Sequence, residues 1–129
     1  MALYEFFPNY IWNLSVAIAN ASGAELGEIV DMCEPIKRAA DSGADAGTPE
    51  FLAQWVGKAD TLSELATEDL NRNRRLSAGD KLRRASLYYT TAERMIAANQ
   101  PAKAETFAKA QSAFWQYIEY SGENCERLE

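Results

Sequence analysis

The sequence contains no histidine. That absence removes the most usual general base, the common zinc ligand, and any Ser-His-Asp or Cys-His catalytic site built from this chain alone. Cysteine is nearly as scarce. Cys33 and Cys125 lie far apart in the sequence; two such residues make no disulfide framework and read as thiols in a reducing, cytoplasmic setting. Positive charge is outweighed, with 13 Lys and Arg against 19 Asp and Glu and a net charge of −6. This balance argues against general nucleic-acid affinity, because phosphate binding needs net or local positive charge. The longest apolar-rich stretch, Tyr10–Ala21, is broken by Asn13, Ser15 and Asn20, and is too short and too polar to span a bilayer. No basic segment precedes it, so no signal peptide is expected. Alternating β-branched runs are also missing, which leaves little to build a sheet.

What is present suits one helical domain over residues 1–129. The chain is 47% hydrophobic and 25% charged, ordinary for a globular protein and long enough for a single core without staples. Ala, Leu, Glu, Lys and Arg dominate, and the spacing predicts five helices in an antiparallel array. The first spans about Asn9–Asn20 with Pro8 in its first turn and an apolar face of Tyr10, Ile11, Leu14, Ala17 and Ile18. The second spans about Gly23–Asp41. It opens on the Ser22/Glu25 capping-box spacing, carries the stripe Leu26, Ile29, Val30 and Cys33, and is expected to kink near Pro35, which lacks the N–H for its intrahelical bond. Asp41–Gly47 reads as a loop. The third helix starts with Thr48 as N-cap and reaches Asn71 or Asn73 along Phe51, Trp55, Ala59, Leu62 and Ala66. Gly57 weakens it, which points to a close contact there. The fourth opens at Ser77 and carries Leu82, Ala85, Tyr89, Ala92 and Ile96. The fifth opens at Pro101, carries Phe107, Ala110, Phe114, Tyr117 and Ile118, and ends at Gly122 as its C′ residue.

Four patterns invite a chemical reading. Gly43-Ala-Asp-Ala-Gly47 has the shape of a nucleophile turn, but no strand precedes it, so it reads as an interhelical loop. Arg72, Arg74, Arg75, Lys81, Arg83 and Arg84 gather six of the thirteen basic residues. Glu68, Asp69 and Asp80 lie among them, so the group reads as a neutralised helix end and a solvated face, with a protein-docking surface as the functional alternative. Glu25, Glu28 and Asp31 place carboxylates along one helix, but without Glu-x-x-His they read as solvated. Aromatics are the richest resource, with three Trp, six Tyr and five Phe. Tyr4, Phe6, Phe7, Tyr10 and Trp12 crowd the start of the chain, and such residues serve equally in a core or across a partner surface. Tyr88-Tyr89 and Phe114-Trp115 fall on consecutive helices, like one tetratricopeptide-type hairpin without a repeat period.

Several stretches resemble the N-terminal helical region of an α/β-hydrolase family that includes dihydropseudooxynicotine hydrolase and fungal polyketide-shortening hydrolases. They are Tyr4–Ser15 (YEFFPNYIWNLS), Gly27–Ile29 (GEI), Arg75–Leu82 (RLSAGDKL), Ala85–Tyr89 (ASLYY), Thr91–Met95 (TAERM) and Ser121–Arg127 (SGENCER). They are scattered along the chain from Tyr4 to Arg127. The resemblance implies a helical cap domain that packs in cis over a catalytic α/β domain, covers substrate and contributes to a homodimer. It also implies carbonyl substrates, cleaved at a C–C or ester bond. The family's triad sits on a G-x-S-x-G elbow; this sequence has neither that motif nor a histidine, so no catalytic residue carries over. The interface or substrate-covering residues expected are Phe6, Phe7, Tyr10, Trp12, Tyr88 and Trp115. No cofactor or metal site, no nucleic acid and no membrane partner is expected, and the alternative is a stand-alone interaction scaffold, natural or engineered, including a tetratricopeptide-like peptide binder. The isolated chain should therefore show no esterase turnover. Reproducible hydrolysis of a simple ester, abolished by one point substitution, would overturn that expectation.

Overall fold

The structure is a computed structural model that describes residues 6–42 and 47–128. Its elements are α1 (Tyr10–Ala21), α2 (Leu26–Ala40), α3 (Gly47–Asn71), α4 (Arg75–Arg94) and α5 (Pro101–Ser121), with no strand among the described residues. The all-α array of five helices is the fold the periodicity predicts. The GADAG stretch falls largely on residues 43–46, outside the described residues.

Helix ends follow local chemistry, and several differ from expectation. Asn9 caps α1: its Oδ1 accepts from the N–H groups of Ile11 (2.9 Å) and Trp12 (3.3 Å), so Pro8 precedes the cap instead of entering the first turn. At the other end Gly23 has φ +97°. The Ala24 N–H donates to Ala19 O and the Gly23 N–H to Asn20 O, a Schellman closure that needs a left-handed residue at this point. Gly23 thus finishes α1, and the Ser22/Glu25 capping box does not form. Glu25 is the N-cap of α2 without a side-chain cap bond; its N–H instead donates to the Tyr88 hydroxyl at 3.2 Å. The same closure ends α3, where Asn73 has φ 58° and the Arg74 N–H reaches Asp69 O at 2.8 Å. Helix α4 consequently starts at Arg75, and Ser77 lies inside it. Helix α2 runs through Pro35 as one element.

Helix α4 is the centre. Helices α3 and α5 both pack along it, α2 packs on α3, and α1 lies against α4 and α2. Cross-contacts set the direction. Asp60 meets Tyr89 while Asp69 meets Ser77, and Glu93 meets Lys103 while Ser86 meets Ala110. Both pairs are antiparallel, as three-residue and similarly short connections demand. The α4–α5 contact is made close by small residues. Ala78, Gly79, Ala85, Ala110 and Ala113 are buried, and an added Cβ on Gly79 would lie 3.3 Å from Ser121 N.

Three hydrophobic faces differ from expectation. Helix α1 buries Trp12, Val16 and Ala19 and leaves Tyr10, Ile11, Leu14 and Ile18 exposed, the reverse of the face its apolar content suggests. Helix α5 buries Thr106, Ala110 and Ala113, with Phe107 and Phe114 outward. On α2 the stripe is Ile29, Met32, Cys33 and Ile36, and Leu26 and Val30 are exposed.

Gly57 meets no atom within 4 Å of a built Cβ, so no close contact explains it. Gly57→Ala is expected to stabilise the chain by about 0.5–1 kcal/mol, through helix propensity and a less flexible unfolded chain. Gly79→Val should lower the denaturation midpoint, because backbone, not a movable side chain, stands opposite. Urea unfolding of both variants checks this pair of opposite signs.

Candidate interaction surfaces and the buried polar contacts behind them

The core of the molecule is a continuous chain of rings. Phe7 meets Trp12 at 5.5 Å edge-on, Trp12 meets Phe51 at 6.0 Å, Phe51 stacks on Trp55 at 5.6 Å, and Trp55 meets Tyr88 at 5.5 Å edge-on. These offset and edge-on geometries are those the ring quadrupole favours. Phe6 stands half-buried at the outer end, 6.2 Å from Phe7. Asn13 fixes this start of the chain: its Oδ1 accepts from the N–H groups of Phe6 and Phe7, and its Nδ2 donates to Phe7 O.

This placement sorts the six residues expected at an interface. Phe7, Trp12 and Tyr88 are core, exposed by 4%, 4% and 0%, because each ring packs on other buried rings. Phe6 and Trp115 are half-buried. Tyr10 alone of the six is largely open, at 75%. The structure does not bring the six together. It replaces them with a different set: Tyr10, Ile11, Leu14 and Ile18 on α1. Steps of three and four put these on one side of the helix, and α1 contains no charged residue at all. Four large apolar side chains exposed together on an uncharged helix are the composition of a contact surface.

A second apolar surface lies between α4 and α5. Ser86 and Thr90 on α4, and Phe107, Gln111, Phe114 and Trp115 on α5, line an open cleft of about 330 Å³. Phe107 is 52% exposed. Phe114 stands edge-on to Trp115 at 5.5 Å and to Tyr117 at 6.0 Å.

Charged groups are mostly occupied. Glu28 accepts from the Tyr88 hydroxyl and from Arg84 Nε at 3.1 Å, and Arg84 also pairs with Asp80. Asp31 faces Lys58 at 3.6 Å, so Glu28 and Asp31 have separate partners. Most of the basic run is tied down in the same way. Lys81 and Ser77 donate to Asp69 at 2.5 and 2.6 Å, Arg83 lies 3.5 Å from Asp80, and Arg75 stacks over Tyr120 at 5.1 Å. Among the described residues no group of three or more His, Cys, Asp or Glu could hold a metal ion. No helix among the described residues is long and apolar enough to cross a membrane.

A cluster that the sequence does not announce joins α3, α4 and α5. The Tyr89 hydroxyl donates to Asp60 Oδ1 at 2.6 Å, and Lys109 Nζ donates to the same oxygen at 2.8 Å while lying 5.5 Å from the Tyr89 ring centre. The pairings span 29 and 49 positions, so no spacing rule would find them. Partial burial disfavours ionised Asp60, but the bonds from Lys109 and Tyr89 outweigh it and hold its carboxyl below the usual range. Burial, then the bond to Asp60, pushes Tyr89 up to about 12. Tyr88 rises further, from burial and then Glu28. Trp55 Nε1 is the one buried side-chain polar atom without a partner among the described residues.

Comparison with known proteins identifies no relative: no family model, no curated protein and no solved structure matches this chain.

Two outcomes follow from the titrating groups. Tyr88 and Tyr89 hold their protons more tightly in the folded state, so their contribution is complete below the unfolded value of about 10. It is lost as pH rises through the folded values. Unfolding free energy should therefore fall with pH from about 10 upward, and Tyr89→Phe should flatten that fall. Burial pushes Cys33 up to about 12, while Cys125 is exposed. Iodoacetamide at neutral pH should label Cys125 alone, with Cys33 reacting only on unfolding.

Proposed function

We propose that this chain is a helical cap domain that has no catalytic centre of its own and seats on the catalytic domain of an α/β-hydrolase acting on carbonyl substrates. The observation that carries the reading is the outward face of α1, where Tyr10 and Ile11 are exposed by 75% and 60%. A helix free of charge that exposes Tyr10, Ile11, Leu14 and Ile18 together is suited to burial against another domain. The first stretch quoted above for the family resemblance runs into this helix as far as Ser15, which supports the assignment. The lack of histidine fits a domain that supplies apolar walls and excludes water while another supplies the triad. The cytoplasmic setting and a role in homodimer formation belong to the same proposal.

The parent reading frame is the most direct test. A G-x-S-x-G motif and a later histidine downstream of Glu126 are expected, and a frame without them would overturn the proposal. Within such a full-length protein, Ile11→Glu with Leu14→Glu should leave the melting of the isolated helical domain unchanged, since both side chains face solvent. The same pair should cut hydrolase activity at least tenfold, by placing charges in a dry contact. Unchanged activity would remove α1 from the interface.

A further inference from the structure

The α4–α5 cleft carries an inference separate from the α1 face. After α5 the chain reverses at Gly122, whose φ is +74°. It returns along the helix far enough for the Arg127 guanidinium carbon to lie 5.7 Å from the centre of the Trp115 ring. Trp115 precedes Gly122 by seven positions, roughly 10 Å of helix. The returning segment therefore ends at the cleft, with its guanidinium on the indole that closes one end.

We propose that this cleft is a docking site for a partner polypeptide segment that presents an arginine beside apolar side chains, and that Arg127 holds the arginine position in cis. Three observations support it. The end of the cleft is aromatic, with Phe114 packed edge-on to Trp115 and to Tyr117, and a guanidinium over an indole face is a favourable cation–π contact. The rest of the cleft is apolar, with Phe107 and Phe114 open to solvent, which suits aliphatic side chains. The chain carries a net charge of −6, so a cationic segment is attracted and an acidic one repelled. Orientation follows from Arg94, which is exposed one turn beyond Thr90. Like charge disfavours a second cation there, so the partner's arginine lies at the Trp115 end and its apolar residues lie over Phe107.

The test uses a short fluorescein-labelled peptide in which arginine alternates with leucine, and the same peptide with glutamate in place of arginine. Fluorescence anisotropy should report binding of the first and not the second. Arg127→Ala removes the in-cis competitor and should tighten binding by about two- to fivefold, the fold-change equivalent of an exposed cation–π contact. Phe114→Ala and, as a second exposed position, Phe107→Ser should each weaken it by at least threefold, with unchanged thermal melts showing that the fold is intact. Ile11→Glu on α1 should leave the affinity unchanged, which separates this site from the proposed hydrolase contact. Failure of the arginine peptide to bind, equal or tighter binding of the glutamate peptide, or an Arg127→Ala variant that binds no better would each overturn the proposal. So would concentration-dependent self-association abolished by Phe114→Ala, because a second copy would then be the occupant.

Discussion

Tyr88 is the residue on which the arrangement of helices depends. Its ring ends the aromatic chain that begins at Phe7, packing edge-on to Trp55 of α3. Its hydroxyl accepts from the Glu25 N–H, which α2 leaves without a side-chain cap, and donates to Glu28. One side chain of α4 thereby fixes the start of α2 and the middle of α3. Arg84, one turn earlier, donates to the same Glu28 oxygen as Tyr88, so the buried hydroxyl and the carboxylate both have partners. Such a contact is costly to break from either side, because a lone buried carboxylate or an unpaired backbone N–H is worse than neither partner being present.

The α4–α5 pair is held by a different principle. Gly79, Ala85, Ala110 and Ala113 carry almost no side chain, so the two backbones come close, and Ser86 reaches Ala110 O at 2.9 Å. Close approach leaves no room for Phe107 and Phe114 between the helices, and they are displaced to the outer side, where they form the cleft. A structural choice in the interior thus generates a functional possibility at the surface. The outward face of α1 has a comparable origin. Trp12 packs on both Phe7 and Phe51, and once it points inward the residues on the opposite side of that helix must point out.

Much of the fold is legible in the residue order. Pro101 and Gly122 bracket α5, α3 ends at Asn71 within the expected span, and the Phe51–Trp55–Ala59–Leu62–Ala66 stripe is buried as its spacing predicts. These features are local: helix caps, closures and periodicity act over a few residues. The starts of α2 and α4 were less legible, since Ser22 and Ser77 offer plausible caps. A Schellman closure claims the residues beside Ser22. Ser77 instead donates to Asp69, eight positions away.

The residue order by itself determined the helical class, the number of helices, most of their boundaries and the exclusion of a histidine-dependent catalytic centre, because each rests on composition or on interactions within a turn or two. Which side of α1 and of α5 meets the core was decided only by the tertiary structure. Apolar content alone favours the faces that carry Tyr10, Leu14 and Phe114. Packing favours the faces whose shapes complete the aromatic chain and allow α4 and α5 to touch. When hydrophobicity and shape point to opposite sides of a helix, shape wins in a close-packed interior, and the hydrophobic residues left over become the surface on which a partner can bind.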